Sequence, residues 1–400
     1  MNIQRSGYLK KLIALKDKQL IKVVTGIRRC GKSTLLEQFQ TYLKEQGVFE
    51  EQIIALNFED MDNAALTDPK TLHKFVKSRL SDKMTYVFLD EVHNIDDFPR
   101  VVDSLFIRKN IDIYITGSNS YMLSSEIATL IAGRYVQIEM LPFSFKEYVQ
   151  NEENSFDISK KYSEYIENSS FPYTLVLKNQ SNEIRDYLEG LFNTIVIKDI
   201  VNRKKITDIL MLKSVLRFVF DNIGSPLSSK KIADTMTSDG RKIDAKTVDK
   251  YLEVLAESYI IYQAKRYNVK GKQYLKTLEK YYVVDVGLRF MLLGSKKTDL
   301  GHILENIVYL ELLRRGYDVY VGKVDDYEVD FVANNAQGTT YFQVALTVRE
   351  QSTLERELRP LFAIKDHYPK ILLTMDDDPE IHHDGIRQLD VRDWLLEIKS

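Results

Sequence analysis

Cys30 is the only cysteine in 400 residues. That excludes an intrachain disulfide and any cysteine-based zinc site. No stretch of 18 apolar residues occurs, so no transmembrane helix is expected. The N-terminus, "MNIQRSGYLKKLIALKDKQ", reads as a basic amphipathic helix with no signal-peptide core or cleavage site, and a cytoplasmic location is expected. An excess of charge of one sign is also missing: the net charge is −2, so the whole chain is not a polyanion binder. Internal repeats and low-complexity tracts are absent too. What remains, 44% hydrophobic and 28% charged residues over a length suited to two or three domains, describes a globular protein.

The charge is unevenly spread. Residues 181–272 carry 17 Lys and Arg against 12 Asp and Glu, a local balance of +5. This is the one segment whose charge suggests nucleic acid.

The clearest motif is "VVTGIRRCGKSTLL", residues 23–36. An apolar strand runs into Gly26, Ile27, Arg28, Arg29, Cys30, Gly31, Lys32, Ser33 and Thr34, and a helix follows. The spacing G-x-x-x-x-G-K-[ST] builds a phosphate loop. Its glycines let backbone amides wrap phosphates, Lys32 reaches the β- and γ-phosphates, and the Ser33 hydroxyl suits Mg²⁺. The helix adds its positive N-terminal end. Backbone amides around Cys30 could lower its thiol pKa, although a small residue that simply fits is the plainer reading. Two arginines beside Lys32 would be crowded, so at least one of Arg28 and Arg29 is expected to face solvent or a partner.

Further signals follow along the chain. "TYVFLDEVHN" ends an apolar strand in Asp90 and Glu91. On a strand neighbouring the phosphate loop, Asp90 would hold Mg²⁺, and Glu91 would orient or deprotonate the attacking water. "ITGSNS" offers Ser118 or Asn119 at a strand tip, able to contact the γ-phosphate. Arg134, ahead of the strand "YVQIEM", could stabilise transition-state charge on a neighbouring subunit's nucleotide. "DEVH" also matches the box of superfamily 2 helicases, but no second core with an arginine-rich strand is found. His93 is therefore read as a capping or supporting residue.

Strands are expected at 20–25, 52–58, 85–90, 111–116 and 135–140, with helices at 32–46, 70–80, 97–108 and 120–131. This alternation predicts an α/β fold with a parallel sheet covered on both faces. Residues 141–180 are mostly polar and read as short helices and loops leaving the core. A helix, a turn at Asp239–Gly240, a helix over Ala245–Ser258 and two strands around Gly271 give the layout of a winged helix. In it Lys246 and Lys250 would face outward. The domain limits read as 1–145, 146–295 and 296–400.

Taken together, "TGIRRCGKSTLL", "FLDEVHN", "ITGSNSYML", "AGRY" and "LPFSFKEY" resemble the AAA-type P-loop ATPases of bacteria and archaea that carry a C-terminal DUF4143 domain. The resemblance implies ATP and Mg²⁺ as ligands, with Lys32, Ser33, Asp90 and Glu91 as the nucleotide site. It places Asn119 near the sensor position and makes Arg134 the trans-acting arginine. A homo-oligomer is implied as well.

The C-terminal "LENIVYLELL…YEVDFV…TTYFQVAL" resembles a restriction-endonuclease-like core, with Glu305, Asp330 and Gln343 as its remnant site. That chemistry needs a lysine where this chain has Ala345. Lys323, Arg349 or Lys365 would have to reach in instead. Three functions are therefore kept: an ATPase that repositions its distal domains on double-stranded DNA or a protein partner, an ATP-gated nuclease, and a non-catalytic nucleotide switch.

Overall fold

The computed structural model describes residues 3–120, 133–152, 156–177, 180–202, 204–294 and 299–398. The helix expected at 120–131 lies almost wholly outside them. The chain divides into two units, Met1–Pro142 with Glu257–Tyr259, and Phe143–Ala256 with Ile260–Ser400.

The first unit is built on five parallel strands: β1 (Ile21–Thr25), β2 (Ile53–Asn57), β3 (Thr85–Asp90), β4 (Ile111–Gly117) and β5 (Tyr135–Glu139). Their order is β2-β3-β4-β1-β5, and every pairing is parallel. Side chains alternate across a strand, and here both faces are apolar. Val87, Leu89, Ile113 and Ile115 pack with Leu72 and Val76 of α3 (Pro69–Ser78) and Val101, Val102 and Leu105 of α4 (Phe98–Phe106). Phe88 and Tyr114, on the opposite face, stack 4.8 Å apart and meet Phe39 of α2 (Lys32–Glu45) at 6.2 and 5.0 Å. The sheet is thus covered on both sides, as the alternation of strand and helix predicts. On the even-numbered face, Lys22 and Asp112 form a fully buried ion pair.

The N-terminal helix α1 (Ser6–Leu15) is partly buried rather than free, through Tyr8, Leu9 and Leu12.

The second unit begins with segments whose composition looked like loop. Instead, Phe145, Tyr148, Tyr162, Tyr165 and Phe171 are buried, and the rings of 145, 148, 162 and 165 interlock at 5.3–5.5 Å. Helix α5 (Ile158–Asn168) carries Tyr162 and Tyr165 inward, so this segment forms a core of its own. Helices α6 (Ser181–Thr194), α7 (Ile209–Asp221), α8 (Ser229–Ser238) and α9 (Ala245–Glu257) follow. Ser228 accepts from the amide of Lys231 and Asp244 from that of Thr247, which fixes where α8 and α9 begin. A nine-stranded sheet completes the unit. Its strands are β6 (Pro226–Leu227), β7 (Ile261–Asn268), β8 (Gln273–Val283), β9 (Asp318–Val324), β10 (Tyr327–Asn335), β11 (Gly338–Ala345), β12 (Lys370–Thr374), β13 (Ile381–His383) and β14 (Ile386–Asp390). The order is β13-β14-β12-β11-β10-β9-β7-β8-β6, so the β7–β8 hairpin continues into the C-terminal strands through β9. Helices α10 (Val286–Leu293) and α11 (Leu300–Arg314) lie between β8 and β9 in sequence.

Candidate nucleotide site

Thr25 ends β1, and the chain turns through Gly26–Gly31 into α2. The turn demands its glycines. Gly26 has φ 145°, and a β-carbon there would lie 2.1 Å from the carbonyl oxygen of Met140; Gly31 has φ 101°. Arg29 also takes a left-handed conformation, at φ 66°, and is exposed. Arg28 is largely buried and pairs with Glu59 at 2.7 Å, so neither arginine crowds Lys32. The amides of Lys32, Ser33 and Thr34 begin α2 and have no carbonyl partner within it.

Lys32 is buried. Its ammonium donates to the carbonyls of Gly26 and Ile27 at 3.1 and 3.3 Å and to Ser118 Oγ at 3.3 Å, and lies 3.6 Å from Glu91 Oε1. Ser118 Oγ in turn donates to Glu91 Oε1 at 2.7 Å. Glu91 sits at φ 54°, a strained conformation for a non-glycine residue and one that clusters at functional sites. Burial pushes its carboxyl pKa up, but Lys32, His93 and Ser118 outweigh that and hold it well below the ordinary range. His93 Nδ1 lies 3.2 Å from Glu91 Oε2, the supporting position expected of it.

Asp90 accepts from Thr116 Oγ1 and, at 3.2 Å, from Asn57 Nδ2. Burial raises its pKa, against hydrogen bonds from Ser33 and Thr116. This donor set, the Ser33 hydroxyl with the Asp90 carboxylate, suits a hard cation.

One expectation needs correction. Asp90 is not on the strand beside β1, because β4 lies between β3 and β1. The insertion places the tip of β4, Ser118 and Asn119, between the loop and the acidic pair. Cys30 is fully buried, in keeping with the plainer reading of a small residue that fits, and burial raises its thiol pKa.

Asn119 is buried, yet among the described residues neither its Oδ1 nor its Nδ2 has a hydrogen-bond partner. A buried amide left unsatisfied costs about 1–3 kcal/mol, which marks the place where a ligand's polar atoms fit.

Arg134 stands at the other end of the sheet. Its backbone carbonyl receives the amide of Ile21, at the start of β1, and its side chain pairs with Asp103 of α4. Within its own chain it is not part of the phosphate-loop cluster.

Sequence reasoning missed several supports. Arg5, buried, donates to the carbonyls of Cys30 at 2.9 Å and Leu141 at 2.6 Å, bracing the loop from outside. Tyr259 and Gln137 both donate to Thr25 Oγ1 at 2.9 Å. Asn57 and Thr116 fix Asp90. The only signal for these last two was a polar residue ending an apolar strand.

The second predicted cluster does assemble. Glu305 of α11, Asp330 of β10 and Gln343 of β11 converge with Lys280 of β8. Lys280 Nζ lies 2.8 Å from Glu305, 2.9 Å from Glu328 and 4.0 Å from Asp330. Tyr282 donates to Glu305 at 2.6 Å. Gln343 accepts from the amide of Asp330 at 3.3 Å and donates to Glu357 at 3.0 Å. Of the basic residues considered for the place of Ala345, Arg349 pairs with Asp376 and Asp378, and Lys365 donates to the carbonyl of Phe362. Burial, then Glu305, drives the Asp330 pKa well up, whereas Lys280 holds that of Glu305 down against its burial. Among the described residues, no group of three or more His, Cys, Asp or Glu side chains is arranged to hold a metal ion.

The five-stranded order and the phosphate loop define an AAA-type P-loop ATPase fold, and comparison with known proteins agrees. Residues 18–149 match the AAA domain family model, and residues 159–299 match a domain of unknown function, DUF8612. The DUF4143 assignment is thereby replaced. The chain is 40% identical to an uncharacterized Haemophilus influenzae protein over 99% of both chains. It is 33% identical to an uncharacterized Methanocaldococcus jannaschii protein, over 86% of this chain and 79% of that one. It belongs to the family of AAA-domain proteins that these two represent. A solved Walker-type ATPase of Pyrococcus abyssi shares the fold, with a TM-score of 0.51 at 16% identity, covering 72% of this chain and 95% of that one.

No helix among the described residues is long and apolar enough to cross a membrane.

Proposed function

We propose that this protein hydrolyses ATP and uses the cycle to reposition its distal domains on double-stranded DNA or on a protein partner, as a cytoplasmic homo-oligomer. The unsatisfied buried amide of Asn119, beside the Lys32–Ser118–Glu91 chain of contacts, carries this reading. It supplies polar atoms where a γ-phosphate or its attacking water needs them.

Each side chain has a part in the chemistry. Lys32 neutralises charge on the β- and γ-phosphates. Glu91, ionised and fixed by Ser118 and His93, orients the water and accepts its proton. Ser33 and Asp90 would hold Mg²⁺, which supplies charge stabilisation between phosphate oxygens when bound. Arg134, remote from its own loop, acts on a neighbour's nucleotide. Catalysis is then positioning and charge stabilisation in a buried site.

The order α7-β6-α8-α9-β7-β8 supports a winged-helix module, and the Glu305–Asp330–Gln343 cluster supports a restriction-endonuclease-like fold. The tight Lys280–Glu305 pair and the buried Asp330, its pKa raised, favour a domain that keeps this fold without cutting. Steady-state ATP turnover with and without duplex DNA and Mg²⁺, followed by a gel of that DNA, tests the whole reading. DNA-stimulated turnover with the DNA intact is expected. Absence of stimulation turns the search to a protein partner, and cut DNA makes Glu305 and Asp330 catalysts.

A further inference from the structure

Four basic side chains surround a cavity of about 420 Å³ in the second unit. Arg185 comes from α6, Lys213 and Arg217 from α7, and Arg241 from the turn after α8. Helical spacing gathers them. Arg185, Glu189 and Phe192 share one face of α6, and Leu210, Lys213, Ser214 and Arg217 share one face of α7. Glu189 is the sole carboxylate in the lining, which leaves the cavity with a balance of +3.

These cations are not neutralised. Lys213 donates to Asn193 Oδ1 at 3.2 Å and Arg241 to Ser214 Oγ, both uncharged acceptors. Arg185 and Arg217 are exposed and make no hydrogen bond or ion pair among the described residues. Elsewhere in the same unit, well-buried cations are matched: Lys280 with Glu305, Arg289 with Asp299 at 2.5 Å, and Arg392 with Asp390 at 2.5 Å. Like charges crowded around one cavity repel unless an anion joins them. The wall also presents aliphatic surface, with Leu210 75% exposed and Leu292 beside it, which an isolated phosphate ion could not use.

We infer that this cavity receives the phosphodiester backbone of a nucleic acid, with sugar or base against the aliphatic wall. The inference rests on the reading of DNA as a partner and names where it is held. The cavity, rather than the outer face of α9, is the phosphate site. On α9, Lys246 and Lys250 are interleaved with Asp249 and Glu253, which repel phosphate. The +5 balance of residues 181–272 is thus concentrated in the cleft.

The test uses full-length protein and fluorescence anisotropy with a labelled single strand and its duplex, across a salt titration. The variants are Arg185→Gln/Arg217→Gln, the conservative Arg185→Lys/Arg217→Lys, and Lys246→Gln/Lys250→Gln on α9. Melting curves matching wild type verify folding. The glutamine pair at 185 and 217 is expected to weaken binding at least about tenfold. It should also reduce the salt slope by about 1.4–1.8, the change expected when two phosphates are no longer neutralised. The lysine pair and the α9 pair should stay close to wild type, and ATP turnover without nucleic acid should not change. Affinity unchanged in the glutamine pair at 185 and 217 would overturn the cavity assignment while leaving DNA binding in place. A wild-type protein that binds neither oligonucleotide would overturn both, with ATP turnover intact. Displacement of the labelled strand by free mononucleotide at equal phosphate concentration would overturn the strand assignment. The stronger-bound oligonucleotide identifies whether an open strand or a duplex supplies the backbone.

Discussion

Ser118 Oγ donates to Glu91 Oε1 at 2.7 Å, while its neighbour Asn119 keeps both amide atoms buried and, among the described residues, unbonded. Adjacent polar residues at one strand tip therefore do different work. On the proposed reading, Ser118 holds Glu91, and Asn119 is the one that meets the γ-phosphate. Asn119→Ala is expected to lower kcat by about 10²–10³ with ATP binding retained, as for a lost transition-state donor. Equal losses in Ser118→Ala and Asn119→Ala would erase the distinction.

Arg134 pairs with Asp103 at the end of the sheet remote from its own phosphate loop. Arg134→Ala should bind ATP normally and turn over about 10³-fold slower or worse. If the arginine acts between subunits as proposed, mixing Arg134→Ala with Glu91→Gln should restore part of the activity that neither has alone. Normal turnover in Arg134→Ala would remove the trans role.

The Lys22–Asp112 pair is completely buried, with Asp112 also accepting from Tyr114 at 2.7 Å and from the amide of Asp17 at 2.9 Å. Removing one partner strands the other charge in the core. Asp112→Ala should cost about 3–5 kcal/mol in chemical denaturation. A double replacement by apolar residues should recover much of that loss, and a single-variant cost below about 1 kcal/mol would contradict the account.

Asp330 has its pKa raised by burial and by Glu305. A carboxyl raised in the folded state adds stability that is fully present below its unfolded pKa of about 3.9, and that is lost as pH rises through the folded value. Asp330→Asn should therefore melt at or above the wild-type temperature at pH 8, with a flatter dependence on pH. A markedly lower melting temperature at pH 8 would mean that Asp330 works there as an anion.

Local patterns carried most of the first unit. The phosphate loop, the five strands and the acidic pair are each written in fewer than ten consecutive residues, and strand ends agree within a residue. Pairing order is not local. β1, β3 and β4 are all uniformly buried and mostly apolar, and of their few polar residues only the opposite charges of Lys22 and Asp112 hint that β4 sits beside β1. Lys280 escaped for the same reason, since it approaches Glu305 only because β7–β8 continues into the C-terminal sheet. Arg5 reads as one more basic residue of an amphipathic helix until its guanidinium meets two carbonyls. In 141–180, polar residues outnumber Tyr and Phe, yet the aromatic rings make the core.

The central claim is tested most directly by ATP hydrolysis of wild type and Glu91→Gln, with nucleotide binding measured on the same samples and Lys32→Ala as the binding-deficient reference. Glu91→Gln is expected to bind ATP but to lose about 10²–10⁴ in turnover, whereas Lys32→Ala should no longer bind tightly. Wild-type turnover in Glu91→Gln, or micromolar ATP binding retained by Lys32→Ala, would contradict the claim.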